Sequence, residues 1–290
     1  MPSTAKPIIR AFFDEPTNTV SYLVADPATK KAAIVDPVLD YDHKSGKASM
    51  KSADAILEAA RQEGYEIEWV LETHAHADHL SSAPYIKLKA GAKVGIGEHI
   101  RDVQKIFRPI FDAKDVSGDG TEFDHLFKDG EHFKIGNLDV EVLHVPGHTP
   151  ADIAYKIADA LFVGDTLFMP DYGTARADFP GGDARTLYRS IQRLLTLPPE
   201  TRLFMCHDYK APGRDHYAWE TTVAEERNNV HLKGRVTEDD FVAMREARDS
   251  KLSAPMLLLP SIQVNIRAGQ LPPPDANGVR YLKIPVKIAA

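Results

Sequence analysis

The sequence is very poor in cysteine, because Cys206 is the only one among its 290 residues. A single thiol cannot form an internal disulfide, which excludes the small secreted scaffolds that depend on such bonds. The amino terminus also lacks the apolar stretch of a secretion signal and carries acidic residues at Asp14 and Glu15. We therefore expect a cytoplasmic protein.

Long apolar runs and basic clusters are missing as well. No segment reaches the roughly 20 consecutive apolar residues that a membrane-spanning helix needs. The formal net charge is −7 and no block is dense in lysine and arginine, which argues against a nucleic-acid or anionic membrane surface. Because 43% of the residues are hydrophobic, the chain can bury a sizeable core. We therefore expect a globular protein whose partner is a small molecule.

Hydrophobic periodicity predicts both strands and helices. Residues 20–36 contain two apolar runs around a polar turn with a proline, which predicts a β-hairpin. Amphipathic spacing predicts one helix from a Ser52 cap to Gly64, a second over about 98–111, and a third from an Asp183 cap to Pro198. Strands that alternate with helices indicate an α/β protein with mixed sheets.

The character of the chain changes after about residue 236. We expect residues 1–235 to form the catalytic domain and residues 236–290 to form a C-terminal helix and an extended arm. Thr237 and Asp240 have capping-box spacing, and the prolines of LPPPDANGVRYLKIPVK forbid a helix there. The arm is expected to pack on the core or on a second subunit of a homodimer. Removal of residues from about 250 onward should leave the candidate site intact.

Four short apolar runs each lead into a loop that opens with histidine or aspartate. The runs are EWVLETHAHADH, VEVLHVPGHTPAD, ALFVGDTLF and RLFMCHDY. They would bring seven residues to one edge of a sheet, namely His74, His76, Asp78, His79, His148, Asp165 and His207. Because such a cluster is costly to bury without a cation, the sequence predicts a metal site. A solvated loop that is rich in histidine is the alternative.

HAHADH at residues 74–79 resembles the HxHxDH motif of the metallo-β-lactamase superfamily. The later ligands of that superfamily match His148 in VPGHTPAD, Asp165 in VGDTLF and His207 in CHDY. The resemblance covers about residues 10–230. It implies an αββα sandwich, in which helices flank two mixed β-sheets and metals lie in the cleft at the sheet edge. Because this fold hosts both hydrolases and oxygenases, it does not fix the chemistry.

GTARADFPGG at residues 173–182 is similar to the segment that follows the metal aspartate in bacterial persulfide dioxygenases, also called sulfur dioxygenases. This resemblance implies one Fe(II) per chain, held by His74, His148 and Asp165, with coordination positions left open. It implies that glutathione persulfide and O₂ are the substrates and that sulfite and glutathione are the products. The other cluster residues, which are His76, Asp78, His79 and His207, would orient the ligands and handle protons. The candidate catalytic residues are Asp78, His207 and Tyr209.

Arg176 and Tyr209 are the candidate substrate-binding residues. The resemblance implies that Arg176 binds a glutathione carboxylate, whereas the chemistry alone equally permits an ion pair with Asp178 or Asp183. Tyr209 follows His207 and is placed to hydrogen-bond the substrate or a metal-bound species, with a role in the core as its alternative. Cys206 is expected to be a small apolar-like strand residue.

Two other functions stay open. The first is a two-zinc thioester hydrolase of the glyoxalase II type, in which all seven cluster residues would be ligands. The second is a non-enzymatic metal-binding or scaffold protein, although a scaffold has no need of an open metal position. The spacing of the ligands does not separate one iron from two zincs.

Overall fold

The computed structural model describes residues 6–234, 236–286 and 288. Up to residue 127 the elements are β1 (Ile8–Asp14), β2 (Thr19–Ala25), β3 (Lys31–Val35), β4 (Val38–Asp42), β5 (Lys47–Ser49), α1 (Lys51–Gln62), β6 (Glu66–Leu71), β7 (Leu80–Ser81), α2 (Ala83–Ala90), β8 (Lys93–Gly97), α3 (Ile100–Ile110) and β9 (His125–Phe127). Further along the chain they are β10 (His132–Ile135), β11 (Leu138–His144), β12 (Ile153–Ile157), β13 (Ala160–Phe162), α4 (Ala184–Leu195), β14 (Arg202–Phe204), β15 (Glu220–Thr222), α5 (Val223–Glu226), α6 (Glu238–Asp249) and α7 (Leu258–Asn265). None of the described helices is long and apolar enough to cross a membrane.

Two six-stranded sheets form the centre of the fold. The first has the order β1-β2-β3-β6-β8-β9, antiparallel up to β3 and parallel from β3 to β9. The second has the order β10-β11-β12-β13-β14-β15, in which only β13 and β14 run parallel. A third sheet of three strands has the order β5-β4-β7. Both large sheets are therefore mixed.

The core is divided into apolar layers by the alternation of side chains along the strands. On β2, Tyr22 and Val24 face the layer between the two sheets, while Leu23 and Ala25 face the layer that contains residues of α1, α2 and α3. The second sheet turns its outer face to another layer, which contains Leu187 and other residues of α4. The layers thus follow the order helix, sheet, sheet, helix, and the predicted αββα sandwich is confirmed.

The predicted local elements are present, with one cap misplaced. The antiparallel pair of β2 and β3 is the predicted hairpin. Asp183 caps α4, because its carboxylate accepts a hydrogen bond from the Thr186 amide at 2.7 Å. The predicted Ser52 cap is wrong: Ser52 lies inside α1, and its hydroxyl donates to Asp40 at 2.8 Å instead. The hydrogen bond to Asp40 of β4 thus uses the hydroxyl group that local spacing had assigned to the helix cap.

The carboxyl-terminal part of the chain packs on the core. The Thr237 hydroxyl accepts a hydrogen bond from the Asp240 amide, as the capping-box spacing predicted. The apolar segment after it forms α7, in which Ile262 and Val264 are fully buried. Residues 271–286 contain neither helix nor strand. The division into 1–235 and 236–290 remains a prediction, and residue 235 lies outside the described residues.

The loop between β11 and β12 comes unusually close to α4. Gly147 has a φ of +141°, and a Cβ added there would lie 2.3 Å from the backbone nitrogen and Cα of Leu187. Two hydrogen bonds hold this contact: Ser190 Oγ donates to the Pro146 carbonyl at 2.6 Å, and the Asp183 amide donates to the Gly147 carbonyl at 2.9 Å. Since the close neighbours are backbone atoms, no side-chain rotation can make room for a larger residue.

We expect Gly147→Ala to lower the free energy of unfolding by about 3 kcal/mol, because the added Cβ would overlap the backbone of Leu187. The matched control is Gly130→Ala, at a φ of +71° with no heavy atom within 4 Å of the added Cβ. The control should cost about 1 kcal/mol, which is the strain of a left-handed residue alone. Denaturant unfolding of both variants measures the difference. Equal losses would show that the loop does not touch α4 as described.

Candidate metal centre

The HAHADH segment lies on the loop between β6 and β7. The strand ends at Leu71, so His74 and His76 lie beyond the strand and their directions do not follow from strand alternation. The turns of the loop bring them together instead: the ring centroids of His74 and His76 are 4.0 Å apart, and those of His76 and His79 are 4.1 Å apart. All three rings are buried.

Strands of the second sheet supply the remaining cluster residues. His148 follows β11, Asp165 follows β13 and His207 follows β14. His148 Nε2 lies 3.6 Å from Asp165 Oδ2, and His207 Nε2 lies 3.3 Å from Asp165 Oδ1 and 2.9 Å from Asp78 Oδ2. The seven residues thus meet where the two sheets adjoin, whereas the sequence analysis placed them at the edge of one sheet.

The cluster divides into two groups that meet at Asp165. In each group one ligand atom per residue lies within 4.8 Å of the others. The first group is His74, His148 and Asp165, and the second is His76, Asp78, His79 and His207. Since Asp165 Oδ2 faces His148 while Oδ1 faces His207, this carboxylate has one oxygen toward each group.

Each imidazole of the cluster has one ring nitrogen held from outside. Nδ1 is hydrogen-bonded to Thr73 Oγ1 in His74, to Thr19 Oγ1 in His79, to the Arg176 carbonyl in His148 and to the Asn18 carbonyl in His207, whereas His76 donates from Nε2 to Asp36 Oδ1. These contacts fix the ring orientations and leave the other nitrogen facing the cluster.

The inward atoms fit a metal ion. His74 Nε2, His76 Nδ1 and His79 Nε2 are buried and have no hydrogen-bond partner among the described residues. Buried polar atoms without a partner are rare in folded proteins, because their desolvation is not repaid. A cation in the first group would satisfy His74 Nε2, and a cation in the second group would satisfy His76 Nδ1 and His79 Nε2. The donor set and its burial therefore suit metal binding through nitrogen and oxygen ligands.

The electrostatics of the cluster agree with this interpretation. Burial, aided by neighbouring imidazoles, lowers the pKa of His74 and of His76 well below the ordinary histidine value. The neutral imidazole that results is the form that binds a metal ion. Burial also raises the pKa of Asp165 and brings the pKa of Asp152, beside His74, to about 7. Carboxylates in this position gain from a nearby cation.

A cavity of about 1020 Å³ opens onto the first group and contains Asp78, His148 and Asp165 in its wall. Arg176 and Tyr209 line the same cavity. The ring of Tyr209 stacks on that of His207 at a centroid distance of 5.8 Å, and 39% of the residue is exposed.

Arg176 is already paired. Its Nε and one terminal nitrogen donate to the two carboxylate oxygens of Asp178 at 2.5 and 2.7 Å, and the other terminal nitrogen donates to the Ser253 carbonyl at 2.8 Å. The ion pair with Asp178 that the sequence left open is thus present. The role of Arg176 as a clamp for a substrate carboxylate stays a prediction.

Several residues of the site were missed by the sequence analysis. Asp36 accepts hydrogen bonds from the amide and the hydroxyl of Thr73 at 2.8 and 2.9 Å, in addition to the one from His76. Asp36 directly follows β3, so it lies at a strand end as the cluster residues do. It does not belong to a recognisable metal-binding motif, however. Cys206 is buried with Sγ 3.7 Å from Asp36 Oδ2, and burial raises the pKa of its thiol, which suits the inert role expected for it.

His231 and Arg248 are two more cavity residues that carried no motif. His231 Nδ1 accepts a hydrogen bond from the Thr174 amide at 3.0 Å, so the proton of the neutral ring lies on Nε2. Burial and the nearby Arg245 lower the pKa of His231 to about 4, which keeps this ring neutral at neutral pH. Arg248 is exposed and makes no ion pair among the described residues.

Comparison with known proteins gives two groups of relatives. A protein of Burkholderia pseudomallei (strain 1710b) named "Probable metallo-hydrolase" is 53% identical over 96% of this chain and 98% of its own length. Glyoxylase B2 of Dictyostelium discoideum is 49% identical over 96% of each chain. The mitochondrial persulfide dioxygenase ETHE1 of Mus musculus is 26% identical over 94% of this chain and 93% of its own length. The relatives at about half identity thus have names that point to hydrolysis.

Solved structures agree with the fold. The crystal structure of ETHE1 from Myxococcus xanthus superposes with a TM-score of 0.73 at 28% identity, and it covers 91% of this chain and 100% of its own. The model of the metallo-beta-lactamase superfamily matches residues 14–207, a span that holds all seven cluster residues and more than half of the chain. The chain therefore belongs to the metallo-beta-lactamase superfamily, as an enzyme whose His/Asp cluster is suited to a metal.

Proposed function

We propose that the protein is an Fe(II)-dependent persulfide dioxygenase, which converts glutathione persulfide, O₂ and water into sulfite and glutathione. The observation that carries this proposal is the compact group of His74, His148 and Asp165. Two imidazoles and one carboxylate are the ligand set of non-haem iron oxygenases. The resemblance of residues 173–182 to persulfide dioxygenases supports the same assignment.

His76 bears on the number of metal ions. Its Nε2 donates to Asp36 at 2.9 Å, and its ring belongs to the group of Asp78, His79 and His207 rather than to that of His74. A single iron needs only the first group. The second group would then orient the ligands, and the pair of His207 Nε2 and Asp78 Oδ2 at 2.9 Å could hold a proton beside the reacting sulfur.

Iron in the first group would supply the redox chemistry of sulfur oxygenation, with coordination positions left open for both reactants. The chain itself binds and orients the thiol carrier in the cavity. Glutathione carries two carboxylates, and the exposed Arg248 is a cation on the cavity wall without an ion pair among the described residues. We assign Arg248 to one of these carboxylates, because the guanidinium of Arg176 is already held by Asp178 and Ser253.

A thioester hydrolase of the glyoxalase II type is the second candidate. The names of the two relatives at about half identity favour it. The position of Asp165 favours it too, because a carboxylate with one oxygen toward each group is placed to bridge two metal ions. Two zinc ions there would supply a nucleophile from water for attack on an acyl carbon.

One experiment separates the two candidates. The protein is purified without oxygen and its metal content is measured, and the same sample is then given glutathione persulfide under oxygen or S-lactoylglutathione. One iron per chain with oxygen consumption and sulfite release supports the dioxygenase. Two zincs per chain with thioester hydrolysis and no oxygen consumption would overturn it in favour of the hydrolase.

The dioxygenase proposal predicts different results for two histidine variants. His148→Ala should lose both the iron and the activity, because one of only three protein ligands disappears. His207→Ala should keep most of its iron while it turns over slowly. Metal analysis and oxygen consumption of both variants, with wild type as reference, check this. An equal fall of metal content in both variants would contradict a single iron in the first group.

Arg248→Ala should raise KM for glutathione persulfide roughly tenfold, which corresponds to the loss of about 1.4 kcal/mol of binding. Thermal stability should not change, since Arg248 is exposed and unpaired within the described part of the chain. Lys251→Ala is the matched control, because this cation lies three residues further on and outside the cavity wall. A KM that is equal in the two variants would remove Arg248 from the substrate site. The same rise in Arg176→Ala would instead support the clamp role of Arg176.

A further inference from the structure

We propose that Asn265, the last residue of α7, is a positioning residue for the loop that carries His76 and His79. The side chain of Asn265 does not reach the cluster itself. It acts on the backbone of the loop, and through that backbone on the direction of the two imidazoles. The carboxyl-terminal helix is then a working part of the metal centre, and not only a cover for the core. This inference concerns metal binding by the second group, to which His76 and His79 belong, and it rests on that group holding an ion.

Three hydrogen bonds join Asn265 to residues 72–79, here called the ligand loop, and to the following strand β7. Its Nδ2 donates to the carbonyls of His76 and His79, both at 2.8 Å, and its Oδ1 accepts from the Ser81 amide at 2.9 Å. Two carbonyl partners require the NH₂ group and an amide partner requires the oxygen, so the orientation of the side chain is fixed by its contacts. Only 5% of Asn265 is exposed, which makes each of these bonds difficult to replace with water.

The loop depends on outside partners because it lies between two strands without being part of either. Residues 72–79 run from the end of β6 to the start of β7. A buried carbonyl in such a segment is unfavourable if it is left without a donor, because the hydrogen bond that it loses to water is not replaced. Asn265 satisfies the carbonyls of two cluster residues at once. It therefore fixes the His76–Ala77 and His79–Leu80 peptide planes, and with them the directions of the two imidazoles.

Asn265 is itself held in place by its surroundings. Ile262 and Ile266 of the same segment are buried in the core beneath the first sheet. Gly269 comes so close to the start of α2 that an added Cβ would lie 2.6 Å from Pro84 Cδ. The sequence analysis expected that removal of residues from about 250 onward would leave the candidate site intact. The three hydrogen bonds of Asn265 argue against that expectation, which stays a prediction.

The test compares Asn265→Ala with Gln263→Ala in the full chain. Gln263 is a close match, because it is buried on the same helix and also makes three hydrogen bonds through its amide: two from Nε2 to the carbonyls of Leu259 and Lys283, and one from the Lys283 amide to Oε1. None of its partners belongs to the ligand loop. A loss of general packing or hydrogen bonding should therefore affect both variants equally.

The readouts are the affinity for Co²⁺ and the visible absorption spectrum of the Co²⁺ protein, with thermal unfolding of the metal-free protein alongside. Asn265→Ala should bind Co²⁺ roughly ten to a hundredfold more weakly than wild type and with a changed spectrum, as is usual when a partner of a metal ligand is lost. Gln263→Ala should lose similar stability but keep the affinity and the spectrum of wild type.

Asn265→Ser serves as a second variant in case Asn265→Ala does not fold. Its hydroxyl can donate to one of the two carbonyls, so its Co²⁺ affinity should lie below that of wild type and above that of any folded Asn265→Ala protein. A folded Asn265 variant with wild-type affinity and spectrum would overturn the proposal and leave Asn265 a structural residue of α7. Wild-type protein that binds only one Co²⁺ per chain would also overturn the proposal, because His76 and His79 would then not be ligands. All of these outcomes are read from metal binding and stability, and none depends on turnover.

Discussion

Imidazoles and carboxylates buried without a charge to balance them are the constraint on which the rest of this structure depends. The cluster lies where loops of the two sheets meet, and its histidines are almost wholly removed from water. Burial lowers the pKa of His74 and of His76 and raises the pKa of Asp165, so these groups are poorly satisfied without a cation. A metal ion is the simplest remedy, and the inward nitrogens that lack partners point to it.

Hydrogen bonds from the surrounding structure hold these groups in place despite the free-energy cost of burying them. Asp36 accepts hydrogen bonds from Nε2 of His76 and from the amide and hydroxyl of Thr73. These three bonds link the ligand loop to the end of β3. The Arg176 carbonyl fixes His148, and Arg176 uses its own guanidinium to join Asp178 to the backbone at Ser253. A small number of hydrogen bonds therefore connects residues 173–182, the carboxyl-terminal segment and the loops that carry the cluster residues.

The same arrangement explains why the reaction class is difficult to assign from fold alone. Asp165 faces both groups, so the protein has one set of residues that could hold one metal or two. The difference between oxygen transfer to sulfur and attack on an acyl carbon then rests on which ion is bound and on whether the second group, which includes the unpartnered Nδ1 of His76, holds a second ion. The relatives reflect this division, with hydrolase-type names at about half identity and persulfide dioxygenases near one quarter.

The αββα sandwich was implied by the resemblance to the superfamily. The residues themselves predicted an α/β protein with mixed sheets, the hairpin, the main helices and the meeting of the seven cluster residues. These features follow from short-range periodicity and from polar residues placed at strand ends, which are visible along the chain. Only the packed structure shows that the ligand loops come from two sheets, that the Ser52 hydroxyl donates to Asp40, and that Arg176 donates to the Ser253 carbonyl. It also decided that Asn265 supports His76 from a helix 189 residues further along. Such contacts join segments whose separation in sequence is large, and no local pattern records them, because they form only when two finished surfaces pack together.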